Sequence, residues 1–284
     1  MNLAKDLALV FWRAAVKLVD DGGLANASNI ALSLLLSLFP FLMFIAGLLR
    51  LYGEPALAPQ VVDLILGHWP ENSAAPIVQA VEKLLEEPPS EFFSFGTVLV
   101  LLLATNGVEN ARDGLNRAYK VTESRGFLWR RFQGVLFVLG GALGLIVSAI
   151  ILVGTPLVWA FLIQRVPLIE PFGATISLVQ YGLSIAILWF VIYAFHRLLP
   201  NIRVRSRTVI WGLVVTIIGI VIGSSLFGLY LENVANYTAL YAGLSGMMIA
   251  IVYLYVLSVL ILYGAEFNAA LWDLQRSKKE IEKA

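Results

Sequence analysis

The polar residues best suited to bind a ligand lie at the end of one long apolar segment. Two adjacent faces of one predicted helix carry them, with Thr105, Glu109, Arg112 and Asn116 on the first face and Asn106, Asn110, Asp113 and Arg117 on the second. Glu109 and Arg112 are three residues apart and can pair on the helix surface. Their cationic and amide groups could meet the phosphates of lipid headgroups. A solvated helix extension would show the same pattern, so both interpretations stay open.

A second polar stripe lies on the first long apolar segment. Asn29, Ser33, Ser37 and Pro40 share one helical face. This face could line a cavity, although small hydroxylated residues also pack between membrane helices. Glu266 follows the last apolar segment, where it either marks the membrane interface or pairs with nearby arginines. Our candidate substrate-binding residues are therefore Asn106, Glu109, Asn110, Arg112, Ser33, Ser37 and Glu266.

Sequence motifs of enzymatic chemistry are absent. There is no GxxxxGK[ST] loop and no HExxH motif, and the chain has no cysteine. The two histidines, His68 and His196, are predicted on opposite sides of a membrane, so a histidine metal pair or a serine triad is hard to assemble. The net charge of +1 gives no bulk attraction to nucleic acid. We predict no enzyme, no catalytic or metal-binding residue, no cofactor and no nucleic-acid partner.

Apolar helices must position the polar residues. Hydrophobic residues make up 59% of the chain and charged residues only 14%, against about 25% charged in a soluble domain. The stretches without Asp, Glu, Lys or Arg are Ile30–Leu49, Phe92–Val108, Phe132–Ile163, Phe172–Phe195, Thr208–Leu231 and Leu240–Ala265. A helix of about 20 residues crosses the hydrocarbon and satisfies its own backbone there. We predict an all-α integral membrane protein with six transmembrane helices in a single domain (1–284), and a tilt or kink near Pro156.

The loop charges orient this predicted bundle. Lys and Arg number 17 in the N-terminal segment, the second and fourth connections and the tail, against 3 in the other connections. The positive-inside rule therefore predicts that both termini are cytoplasmic. No acidic or basic residue lies deep in a predicted span, which disfavours a proton-coupled pump.

Three segments outside the spans have their own predictions. In residues 1–29, apolar side chains at helical spacing predict a cytoplasmic amphipathic helix that lies in the membrane interface. Residues 52–91 contain seven acids and two short apolar helical faces. They predict a small helical cap on the outer side between spans one and two, with a surface loop as the alternative. Residues 266–284 are predicted to form a cytoplasmic tail.

Several short motifs resemble those of a known family. They are Leu36-Ser-Leu-Phe-Pro40, Gly114-Leu-Asn-Arg-Ala-Tyr119, Tyr241-Ala-Gly-Leu-Ser-Gly and Leu262-Tyr-Gly-Ala-Glu-Phe-Asn-Ala269. With these motifs and its span order, the chain resembles the YihY/BrkB family of bacterial inner-membrane proteins from Ala14 to Trp272. The resemblance implies a multi-pass α-helical protein of the inner membrane and supplies no catalytic residues. Some members carry the label ribonuclease BN, but the segments predicted to be cytoplasmic show no cluster of carboxylates or histidines of the kind a metal-dependent nuclease uses.

Two functions compete on this evidence. A transporter or translocator of an amphiphile such as a lipid agrees with the charge-free spans, the polar opening at Asn106–Asn110 and the basic loops. Some members of the resembled family are connected with lipid or lipopolysaccharide export, which agrees with this interpretation. The alternative is a non-transporting membrane scaffold that recruits envelope proteins. Membrane lipids are the predicted partners, and a homo-oligomer is compatible with either function.

Overall fold

The structure is an assembly of helices. This computed structural model describes residues 3–51, 90–202, 206–233 and 245–281. Every regular element in these ranges is helical, as the sequence predicts. The helices are α1 (Leu3–Asp20), α2 (Gly23–Leu51), α3 (Ser90–Ala118), α4 (Phe127–Ala149), α5 (Thr155–Arg165), α6 (Gly173–Leu198), α7 (Ser206–Asn233) and α8 (Ser245–Ile281), with a π-helical turn at Ile150–Gly154 and a 3-10 turn at Pro167–Phe172.

Four stretches of the described residues are long and apolar enough to cross a membrane. They are Phe127–Leu152, Leu168–Leu198, Thr208–Leu231 and Met247–Ser277. Helices α2 and α3 are each 29 residues long, but the side chains of 38–51 and 90–101 lie outside the described residues. Four of the six predicted spans are therefore present as helical stretches of sufficient length and apolar composition, and the count of six stays a prediction. Residues 52–89, which hold nearly all of the predicted outer cap, also lie outside the described part of the chain.

The third predicted span is interrupted where a kink is expected. The π-helical turn at Ile150–Gly154 ends α4, and Pro156 lies in the first turn of α5. Pro156 has no N–H to donate to the carbonyl of Leu152 four residues earlier. The buried side chain of Gln180 on α6 donates its Nε2 to that carbonyl at 3.0 Å. A polar side chain from a neighbouring helix thus satisfies a carbonyl that Pro156 leaves free, as membrane helices require.

One end of the bundle contains most of the described core. Helices α2, α4 and α7 begin there, and α3, α6 and α8 end there; we call it the basic end. Its core includes Leu115 of α3, Leu199 after α6, Val209 of α7 and Ala265 of α8, none of which is exposed. By contrast, the most apolar 18 residues of the α4 span include no buried side chain among those described. The basic end is therefore where side chains from several helices can form a site.

Helix α1 has two different apolar faces. Val10 and Ala14 are buried against Phe267 and Ala270 of α8. Large apolar side chains also point away from the protein, with Trp12 69% exposed. The helix ends at Asp20, and Gly22 adopts a left-handed conformation (φ 71°) that lets α2 begin at Gly23. The predicted helix is present, and its location in a membrane interface stays a prediction.

Helices α7 and α8 approach each other closely at two glycines. A Cβ on Gly212 would collide with the carbonyl oxygen of Gly264, and one on Gly264 would collide with the hydroxyl of Thr216. The side chain of Asn268 accepts a hydrogen bond from the Gly212 amide at 2.7 Å. We call Gly212, Thr216, Gly264 and Asn268 the glycine crossing. It contains the centre of the Leu262–Ala269 motif that carries the family resemblance.

Candidate functional site

A buried arginine lies at the centre of the polar residues on α3. The side chain of Arg112 is not exposed, and its Nη1 lies 2.5 Å from Oε2 of Glu109. This pair has the three-residue spacing noted in the sequence. The Nη2 of Arg112 also donates to the carbonyl of Arg130 at 3.3 Å and to Oε1 of Gln133 at 3.2 Å, which fixes α3 to α4. Arg112 is therefore a positioning residue that links two helices.

The connection between α3 and α4 adds a second ion pair. Arg125 binds both carboxylate oxygens of Glu123, with Nε at 2.8 Å from Oε1 and Nη2 at 2.7 Å from Oε2. The same guanidinium donates to Gln133 at 3.0 Å and to the carbonyl of Leu199 after α6 at 2.6 Å. Such bidentate, charge-assisted contacts are among the stronger hydrogen bonds in proteins. We call Glu109, Arg112, Glu123, Arg125 and Gln133 the α3–α4 network.

The electrostatics of Glu123 follow from these contacts. Partial burial acts to raise the pKa of its carboxyl, but hydrogen bonds from the side chain and backbone of Arg125 and from Asn116 outweigh it and lower the pKa to about 2. Asn116 donates its Nδ2 to Glu123 at 3.0 Å and accepts from the backbone N–H of Asn201 at 2.7 Å. The carboxylate therefore stays charged at neutral pH and holds the ends of α3 and α6 together.

Asn106 lies on the more accessible side of this region. It is exposed, and its Oδ1 accepts a hydrogen bond from Nη1 of Arg131 at 2.9 Å. The same Nη1 lies 3.2 Å from the hydroxyl of Thr105, and the guanidinium lies 5.5 Å from the ring centroid of Phe127. Arg130, the preceding residue, lies 3.6 Å from Glu109. Two arginines at the beginning of α4 therefore face the polar side of α3.

Asn110 and Ser33 connect α3 with α2. The Nδ2 of Asn110 donates to the Ser33 hydroxyl at 3.1 Å and to the carbonyl of Asn29 at 3.4 Å. The polar stripe predicted on α2 therefore meets the polar face of α3. The buried hydroxyl of Ser37 donates to the carbonyl of Leu34 on its own helix at 2.9 Å. Two of the sequence-selected residues thus form one contact, and Ser37 lies outside it.

Glu266 lies away from the α3–α4 network. Its side chain is buried in α8 at 2% exposure, and Oε2 has no hydrogen-bond partner among the described residues. The charged groups that act on it are Lys17, Asp21, Lys120 and Asp273. The described residues thus provide lysines near Glu266, and no ion pair joins it to the arginines considered in the sequence analysis.

Several residues of the site were not selected from the sequence. Arg125, Gln133 and Asn201 form the contacts between α3, α4 and the end of α6. His196 is fully buried beside Gly264, and neither ring nitrogen has a hydrogen-bond partner among the described residues. The adjacent Asn268 belongs to the Leu262–Ala269 motif and is not among the candidate substrate-binding residues. None of these positions belongs to a repeating polar face on one helix, so spacing along the chain does not identify them.

Comparison with known proteins relates this arrangement to a family. The family model described as "Virulence factor BrkB" matches residues 14–284. A Bacillus subtilis protein named as the ribonuclease-like protein YfkH is 28% identical, over 88% of this chain and 90% of its own length. A UPF0761 membrane protein of Alteromonas mediterranea is 27% identical, over 98% of this chain and 92% of its own length. A UPF0761 membrane protein of Tolumonas auensis is 24% identical, over 94% and 86%. No solved structure matches the chain.

Proposed function

The chain belongs to the BrkB family of membrane proteins, and from that premise we propose that it moves an amphiphile, namely a phospholipid, across the bacterial inner membrane. The observation that supports the proposal is the contact between Arg131, at the beginning of α4, and Asn106 on the polar face of α3. Here the cationic and amide groups of Arg131 and Asn106 adjoin a helix whose most apolar 18 residues include no buried side chain among those that the structure describes. An amphiphile needs both environments side by side.

Arg130 and Arg131, at the beginning of α4, have hydrogen-bond donors available for a phosphate. Among the described residues, Arg131 uses Nη1 for both of its hydrogen bonds, which leaves Nε and Nη2 for a ligand. Nη1 of Arg130 lies 3.6 Å from Oε2 of Glu109, which is a long ion pair, and 28% of the Arg130 side chain is exposed. A headgroup bound at these two guanidiniums would lie at the start of α4, so its acyl chains could extend along that helix. In this proposal Asn106, Glu109 and Asn110 orient the site, while Arg112 holds α3 against α4.

We place the basic end in the cytoplasm, because 17 of the 20 Lys and Arg residues belong to the segments predicted there. We also propose that the function is not enzymatic. The descriptions of the family model and of the UPF0761 relatives state no reaction, and the ribonuclease-like name belongs to the Bacillus protein. Glu266, Ser33 and Ser37 remain candidates for later steps of lipid movement.

One observation favours a scaffold as the second candidate. Helix α8 continues to Ile281, 16 residues past Ala265, where the charge-free stretch ends. At 1.5 Å per residue this extension is about 24 Å long. Trp272, Gln275 and Arg276 are exposed along it. A helix of this length could dock an envelope protein or a second copy of the chain without any transport.

A lipid-flipping assay tests the first proposal. The full chain would be reconstituted in phosphatidylethanolamine–phosphatidylglycerol vesicles that contain a trace of fluorescent phosphatidylglycerol, and dithionite would bleach the outer leaflet. With wild type, we expect dithionite to remove well over half of the fluorescence, because labelled lipid from the inner leaflet reaches the outer one. With Arg131→Gln or Asn106→Ala, the fluorescence of the inner leaflet should be lost roughly tenfold more slowly.

The matched control is Arg165→Gln, which removes an exposed arginine at the other end of the α4–α5 segment. It should leave the bleaching rate unchanged. If vesicles with the wild-type protein lose fluorescence as protein-free vesicles do, the proposal that the protein translocates this lipid is wrong. In that case, deletion of residues 272–284 followed by capture of partners would test the scaffold.

A further inference from the structure

A groove between α1 and α8 lies apart from the α3–α4 network. It has a volume of about 340 Å³, which is within the roughly 300–1,000 Å³ of small-molecule sites. The lining residues are Trp12, Arg13, Val16, Lys17, Ala270 and Asp273. The lining therefore combines aromatic and aliphatic side chains with three charged ones.

The packing of α1 on α8 fixes the shape of this groove. Phe11 and Phe267 have ring centroids 4.8 Å apart. The hydroxyl of Tyr263 donates to the carbonyl of Phe11 at 3.1 Å. Below these contacts Val10 and Ala14 are buried. These contacts join the two helices beside the groove.

The charges in the groove leave one cation without compensation. Nζ of Lys17 lies 2.7 Å from Oδ2 of Asp273, so these two charges neutralise each other. Arg13 is exposed, and no ion pair joins it to another described residue. The groove therefore has a net charge of +1. A ligand with a net negative charge is complementary to it.

The surroundings of Arg13 are apolar, which indicates that the anion carries hydrocarbon. Trp12 is 69% exposed and Val16 39%, and Phe11 and Val19 on the same helix are also exposed. An amphipathic helix with such side chains lies at the boundary between headgroups and acyl chains. Guanidinium groups bind phosphate through paired hydrogen bonds. A phospholipid supplies the phosphate and the apolar surface together.

We propose that the α1–α8 groove binds one anionic phospholipid, with its phosphate on Arg13 and its glycerol and upper acyl chain against Trp12 and Val16. The bound lipid would fix α1 to the membrane surface. This site is separate from Arg130 and Arg131 and does not require that the protein translocate lipid. The family model begins its match at residue 14, so Trp12 and Arg13 lie outside the matched part.

Native mass spectrometry of the full chain tests the site. The protein would be purified in detergent and titrated with phosphatidylglycerol, and with phosphatidylcholine as a neutral lipid of similar size. We expect a first bound phosphatidylglycerol that survives activation in wild type, and binding weakened roughly fivefold to tenfold in Arg13→Gln. Trp12→Ala should weaken the binding of both lipids, because it removes apolar contact.

Arg117→Gln is the matched control, since Arg117 is an exposed arginine at the same end of the bundle. It should bind phosphatidylglycerol as wild type does. Equal retention in wild type and Arg13→Gln would overturn the proposal. Displacement of the lipid by millimolar inorganic phosphate would also overturn it, because the groove would then be a simple anion site. Arg13→Gln would also be compared with its control in the Arg131→Gln background, which removes the headgroup site of the proposed function, so a failure here is distinguishable from a failure of lipid flipping.

Discussion

Two polar regions of the basic end differ in how their charges are compensated. In the α3–α4 network, Arg112 and Arg125 each lie beside a carboxylate and also donate to Gln133. Near the glycine crossing, the ring nitrogens of His196 and Oε2 of Glu266 have no hydrogen-bond partner among the described residues. The first region is held together by polar contacts. The second is held by close backbone packing, into which isolated polar groups are inserted.

This difference separates two ways of joining membrane helices. Charged groups that are buried together depend on one another, since the loss of one partner leaves the other without compensation. Helices that meet at glycines depend on shape, and an added methyl group has no space. The α3–α4 network should therefore respond to changes of charge. The glycine crossing should respond to changes of volume.

The largest expected effect comes from breaking the network at its centre. Arg112→Ala removes the partner of Glu109 and a donor to Gln133, and should lower the free energy of unfolding by about 3–5 kcal/mol. Arg117→Ala, an exposed arginine on the same helix, should change it by about 0.5 kcal/mol or less. Thermal unfolding in detergent, followed by tryptophan fluorescence, measures the difference. Equal unfolding temperatures for the two variants would mean that the network does not stabilise the fold.

A change of volume should affect the glycine crossing. Gly264→Ala places a methyl group on the Thr216 hydroxyl, and overpacking of this kind costs about 1–3 kcal/mol. Gly140→Ala on α4 is the matched control, because nothing lies within 4 Å of a Cβ at that position. In the same unfolding assay, Gly264→Ala should therefore have a clearly lower unfolding temperature than Gly140→Ala. If both variants have the unfolding temperature of wild type, α7 and α8 are not packed as tightly as this contact requires.

The two regions also differ in how well the sequence predicts them. Charge-free stretches and Pro156 are local signals, so they predict four described spans and the break before α5. The pairing of Glu109 with Arg112 follows from helical spacing and is present. The stretches without charged residues do not predict where α8 ends. The helix continues past Ala265 into a polar segment that partly packs on α1.

Contacts between helices are harder to predict from one sequence. Arg125 reaches the carbonyl of Leu199 only because the chain reverses between α3 and α4. His196 is close to the end of a span in the sequence, yet it is fully buried because α7 and α8 close over it. A glycine such as Gly212 becomes essential only through its partner, Gly264. These properties depend on which helices are neighbours, and periodicity along one helix does not contain that information.

The smallest expected effect is on the acid stability of the α3–α4 network. The pKa of Glu123 is lowered from 4.5 to about 2 in the folded protein, so its contribution is fully present above pH 4.5 and is lost as the pH falls towards 2. Between pH 7 and pH 4 this loss amounts to roughly 1 kcal/mol. Glu123→Gln should remove that part of the pH dependence, whereas Gly140→Ala, whose added methyl group has nothing within 4 Å, should keep the pH dependence of wild type. An unchanged pH dependence in Glu123→Gln would show that the ion pair with Arg125 does not contribute to stability.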